Sequence, residues 1–133
     1  MQWFIAWSPV PDLPIFCECF AKEANGELKL LFQTEATDGR ELEVTFLGNV
    51  PAYRSIVEEC RLGPHARLDE HSQGLSCFWR VSNSDWIASF SEADLIHYPD
   101  LHHYLFETSN QCVDVLTNQE PQVSWRSQRP AQA

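Results

Sequence analysis

Residues 102–117 constrain the fold more than any other stretch, because they read as two strands joined by a tight turn. Side chains along a strand alternate between its two faces. Tyr104, Phe106 and Thr108 therefore share one face, and His103, Leu105 and Glu107 share the other. In the second strand Val113 and Val115 lie opposite Cys112 and Leu116. Apolar groups on both faces predict a hairpin in the middle of a sheet, covered on both sides. Asp114, flanked by the two valines, is the residue that fits worst. A buried carboxylate needs a partner, and Arg80 or His103 is the expected one. Full solvation of Asp114 would instead make the hairpin an edge.

The rest of the chain can supply such a sheet. Its 133 residues suit one domain, large enough to fold without a disulfide or a metal. A hydrophobic content of 44% excludes a disordered chain. Residues 1–126 read as the domain, and 127–133, polar and broken by proline, as a flexible tail. Lys and Arg together number nine and Asp and Glu nineteen, for a formal charge of −10. That field serves solubility. It also repels free nucleic acid and an anionic membrane, and attracts a basic protein. The first residues lack the basic start of a signal peptide. No apolar run approaches the roughly 18 residues of a membrane helix. The cysteines are odd in number, with no repeated C-x-x-C. These features predict a cytoplasmic chain whose reduced thiols serve as small core residues.

Trp3, Ile5 and Trp7 alternate with Phe4 and Ala6, as in a short strand buried on both faces. Pro9, Pro11 and Pro14 then interrupt any ladder, because each lacks an N–H donor. Residues 15–22, 27–35 and 40–47 follow as strands, with turns at Asn25-Gly26 and Asp38-Gly39. Leu28, Leu30 and Phe32 point inward, as do Leu42, Val44 and Phe46. Glu41, Glu43 and Thr45 point outward. The three strands form an antiparallel meander with one wet face.

Over residues 50–60 the period changes. Tyr53, Ile56, Val57 and Cys60 fall at i, i+3, i+4 and i+7, a helical stripe. Asn49 suits its cap and Pro51 its first turn. A bent strand is the alternative, since Pro51 equally suits a strand entry. Residues 62–74 read as a polar loop and 75–81 as a strand. Ser82-Asn83-Ser84 offers a cap for a two-turn helix carrying Trp86, Ile87 and Phe90. Residues 94–101 are a connector, and 119–125 add a last short strand after Pro121. The expected class is α+β: an antiparallel β-sheet of six or seven strands, with one or two short helices on one face.

No motif for catalysis or for a cofactor is present: no phosphate loop, no G-x-G-x-x-G, no G-x-S-x-G, no H-E-x-x-H. His97, His102 and His103 lie close in sequence, but neighbours on a strand point to opposite faces, and no further ligand stands at a metal-site spacing. Surface or core imidazoles are the simpler reading. Cys17 and Cys19 are roughly 7 Å apart by strand rise, too far for an unstrained disulfide. Glu41 and Glu43 form either a solvated strip or an acidic surface for a basic partner. Trp79 and Trp86 belong either to the core or to an interface, where Trp is enriched. The candidate binding residues are thus Glu41, Glu43, Trp79, Trp86, His103 and Asp114, with no catalytic residue, cofactor or metal assigned.

His103-Tyr104-Leu105-Phe106, Val113-Asp114-Val115-Leu116 and Glu120-Pro121, with Arg54 and Glu58 after the strand ending at Phe46, resemble the C-terminal hairpin of small uncharacterised bacterial proteins. Some of these are thought to be immunity proteins that bind and neutralise a toxin domain. The resemblance implies a binding protein and no catalytic residues. The leading expectation is therefore an acidic cytoplasmic protein-binding domain engaging a basic protein. The alternatives are a ligand-binding protein or enzyme with a site near the Trp-rich sheet face, built on His103, Trp79 and Trp86, and a structural homodimer.

Overall fold

The computed structural model describes residues 2–11, 17–33, 40–48, 50–57 and 77–127. These contain nine strands: β1 (Trp3–Ala6), β2 (Glu18–Ala24), β3 (Glu27–Gln33), β4 (Arg40–Phe46), β5 (Ala52–Ile56), β6 (Phe78–Ser82), β7 (His102–Glu107), β8 (Cys112–Thr117) and β9 (Gln122–Ser127). Two one-turn helices, α1 (Asp85–Ala88) and α2 (Glu92–Leu95), lie between β6 and β7. The strands form two sheets, one of order β1-β6-β7-β8-β5 and one of order β2-β3-β4-β9. Every pairing is antiparallel.

Alternation decides how the sheets meet. Leu28, Leu30 and Phe32 of β3 and Leu42, Val44 and Phe46 of β4 are buried together with Phe78, Tyr104, Phe106, Val113 and Val115 of the larger sheet. Phe32 packs on Phe78 at 4.6 Å between ring centroids, and Phe46 meets Tyr104 and Phe106 at 6.0 and 6.1 Å. The two inner faces thus share one aromatic core, in the manner of a sandwich. The opposite face of the larger sheet has its own apolar cluster of Phe4, Trp79, Val81, Leu105 and Cys112. The β7–β8 hairpin contributes to both layers and lies inside its sheet, with β6 on one side and β5 on the other.

The tip of that hairpin also ties the sheets together. The Ser109 N–H donates to the Cys17 carbonyl at 2.9 Å. Asn110 accepts from the Cys19 N–H and donates to its carbonyl, both at 2.9 Å. Residues 25 and 26 turn β2 into β3 with both φ angles positive, 54° at Asn25 and 78° at Gly26, as a two-residue hairpin requires.

The α+β expectation is overturned. The described residues are mostly β, with nine strands in two sheets instead of six or seven in one, and the two helices among them are single turns. Periodicity shows which residues share a face, but not that two sets of inward faces belong to different sheets. Residues 52–56 form strand β5, not a helix, because Arg54 pairs in register with Asp114 of β8. The remainder of that predicted helix, the 62–74 loop and the Asp38-Gly39 turn fall outside the described residues. Trp3 and Ile5 are 42% and 45% exposed, so β1 is covered on one face only. Ser127, placed in the tail by sequence, ends β9, and residues 128–133 fall outside the described residues. Among the described residues no helix is long and apolar enough to cross a membrane.

Candidate functional site

Asp114 and His103 lie on the face of the larger sheet that points away from the shared core. Asp114 sits opposite Leu105 on β7 and opposite Arg54 on β5. It is fully buried, and His103 is nearly so. His103 Nε2 lies 2.6 Å from Asp114 Oδ1, and the Arg54 Nε–H donates to Asp114 Oδ2 at 3.3 Å. The partner expected from sequence is thus present in His103. Arg80 is not the second partner, because it projects from the other face, opposite Tyr104. Arg54 takes that place, and the helical reading of its segment had concealed it.

A third group completes the set. Ser84 Oγ lies 2.7 Å from His103 Nδ1 and accepts the Ile87 N–H at 3.2 Å, which makes Ser84 the N-cap of α1. With Nε2 protonated toward the carboxylate, Nδ1 accepts the seryl proton, and Ser84, His103 and Asp114 form one continuous relay. Trp86 covers it. Its ring meets His103 edge-on at 5.7 Å, and the Arg54 guanidinium lies 4.1 Å over it. Sequence reasoning found Asp114, His103 and Trp86 but gave Ser84 no role beyond capping. The one local signal was its cap position, which does not say what the hydroxyl meets.

A Ser–His–Asp set invites comparison with nucleophilic catalysis. Two features oppose it. The Ser84 oxygen already accepts the Ile87 N–H in capping α1, and the Asp85 N–H donates to Gln2 Oε1 at 2.9 Å, so that backbone donor is not free for an oxyanion. The set instead satisfies a buried carboxylate and pins the first helical turn to the sheet.

The other candidates are dispersed. Trp79 is buried, and its indole N–H donates to Glu107 Oε1 at 3.1 Å, which makes it a packing residue of the outer layer. Glu41 and Glu43 lie on the smaller sheet. Glu41 is only 3% exposed, which corrects the wet-face reading. Arg126 of β9 donates to Glu41 Oε1 and Glu43 Oε2, both at 2.7 Å, and Lys29 approaches Glu43 at 3.7 Å. Burial raises the Glu43 pKa, but the hydrogen bond from Arg126 and the charges of Lys29 and Arg126 outweigh it, leaving the carboxyl below its ordinary range. These carboxylates are neutralised from within and present no acidic surface.

Cys17, Cys19, Cys77 and Cys112 are buried thiols. Burial pushes Cys19 up to about 12, and the hydrogen bond between Cys17 and Cys77 lowers the first and raises the second. Among the described residues no three His, Cys, Asp or Glu side chains cluster as metal ligands. Cys60 is outside the described residues.

Exposed acidity is found instead on the crossing from β6 to β7. Asp85, Glu92, Asp94 and Asp100 are all exposed there, in the same stretch as Ile96, which is 72% exposed. No Lys or Arg occurs between Val81 and Trp125. Comparison with protein-family models, curated proteins and solved structures finds no match to this chain.

Proposed function

We propose that this chain is a non-catalytic, acidic protein-binding domain, immunity-like in character, that engages a basic protein in the cytoplasm. The observation that carries the reading is the β6–β7 crossing, which holds exposed carboxylates and an exposed isoleucine with no Lys or Arg in the same stretch. An apolar centre within a rim of one charge is how many interfaces combine burial with steering. The net charge of −10 extends the same field over the molecule. The relay beneath Trp86 holds the start of that crossing against the sheet, which supports a role in presenting a fixed surface.

The test is capture from the native host, together with co-expression of neighbouring gene products, using the wild-type chain and a Glu92→Lys/Ile96→Ser variant. Both substituted side chains are exposed, and although Ile96 stands at the C-cap of α2, its aliphatic side chain supplies no capping hydrogen bond. A basic partner should bind in a salt-sensitive complex, and the double substitution should weaken it by roughly tenfold or more. Equal affinity for the variant, or no basic partner at low salt, would sink the reading. Sedimentation at several concentrations separates it from a homodimer.

A further inference from the structure

A cleft of ≈ 640 Å³ opens where β6 ends, between β1, α1 and the start of β7. That volume lies within the range of small-molecule sites. Ile5, Val81, Ile87 and Leu101 supply apolar walls, and Arg80, His102 and Ser82 supply polar groups. Arg80 is the only Lys or Arg among the lining residues.

Arg80 is set differently from three of the other cations. Arg54 is matched to Asp114, Arg126 to Glu41 and Glu43, and Lys29 to Glu43. Arg80 instead donates from Nη2 to the neutral acceptor His102 Nδ1 at 3.2 Å, and lies 5.6 Å over the Tyr104 ring. Among the described residues no carboxylate is in ion-pair contact with it. Arg80 thus places a guanidinium without a carboxylate at the wall of a cleft. Its hydrogen bond also orients a second donor. Guanidinium can only donate, so a neutral His102 accepts at Nδ1 and carries its proton on Nε2.

We propose that this cleft binds a small organic monocarboxylate with an apolar body. The carboxylate lies on the Arg80 fork and the body lies against Ile5, Ile87 and Leu101. A guanidinium matches a carboxylate with two parallel hydrogen bonds. The apolar walls select an acid with a hydrocarbon portion over an inorganic anion. The overall negative field works against a phosphate dianion, for which a single guanidinium is a poor match.

The test uses the full chain at low salt with phenylacetate and hexanoate as probes, followed by ligand-observed NMR and calorimetry. Hexan-1-ol and hexyl phosphate serve as matched comparisons. Both carboxylates should bind, and the alcohol should bind roughly tenfold or more weakly, because it forfeits the charge-assisted bonds. Arg80→Gln should weaken the carboxylates by a similar factor with only a small fall in the urea midpoint, and Arg80→Lys should fall between. Ile87→Trp, which fills the cleft and spares Arg80, should abolish binding. Equal binding of alcohol and acid, preference for the phosphate ester, unchanged affinity in Arg80→Gln, or no binding of either acid would overturn the proposal. The acid-to-alcohol comparison needs only the wild-type chain, so it decides the matter even where a variant fails to fold.

Discussion

At the scale of single residues, the molecule turns on how it accommodates Asp114. A carboxylate taken fully out of water is tolerable only when its oxygens are occupied, and here His103 and Arg54 occupy them. Removing Asp114 leaves the buried His103 ring N–H without its acceptor and takes the counter-charge from Arg54, which is half exposed. Asp114→Ala should therefore lower stability by about 2–3 kcal/mol in urea unfolding, since solvent screens the exposed Arg54 charge. Asp114→Asn keeps an acceptor for His103 and should cost less. A loss below about 1 kcal/mol for the alanine variant would mean that the relay stabilises nothing. The need for a partner was legible from sequence, since a lone Asp between valines has few other readings. The identity of Arg54 and Ser84 was not. Arg54 reaches the site through strand register and Ser84 through the turn after β6, and no local pattern encodes which residue of β5 stands beside Asp114.

At the scale of elements, alternation was a good guide within a strand and a poor one across strands. Leu42, Val44 and Phe46 face the core as their spacing predicts, yet Glu41 on the opposite face is buried. The reason is β9, whose Arg126 covers both glutamates from the far end of the chain. Residues 52–56 failed for a related reason. A short strand with exposed residues on both faces has no strict alternation, so Tyr53, Ile56 and Val57 satisfied a helical count by chance.

The β4–β9 pairing carries a pH signature. The folded-state pKa of Glu43 lies below its ordinary value of 4.5. Its stabilising contribution is complete above that value and is lost as the pH falls through the lower folded one. Arg126→Gln removes the main cause of the shift. It should cost about 1–2 kcal/mol at neutral pH, a modest figure because Arg126 is itself 46% exposed and screened by solvent. The variant should also lose less stability than wild type between about pH 5 and 3, as urea midpoints would show. Parallel pH profiles for the two proteins would contradict this assignment.

At the scale of the whole molecule, the two sheets are built to unfold together. Their inner faces share one set of rings, and the β7–β8 tip hydrogen-bonds to Cys17 and Cys19 at the start of β2. Tyr53 of β5 adds a hydroxyl bond to Glu23 of β2, which raises the phenol above its ordinary range. Neither sheet could keep its apolar face covered if the other left, so a half-folded state would expose the aromatic core at large cost. The five tryptophans allow a direct test. Trp79 reports on the outer layer of the larger sheet, and Trp125 on β9 of the smaller one. Labelled with 5-fluorotryptophan and assigned by single Trp→Phe changes, their resonances should lose native intensity at the same urea concentration. Earlier loss at Trp125 would mean that the smaller sheet opens as a unit of its own. In that case the larger sheet, with its hairpin, its relay and the acidic crossing above them, would have to hold its shape without the core it shares.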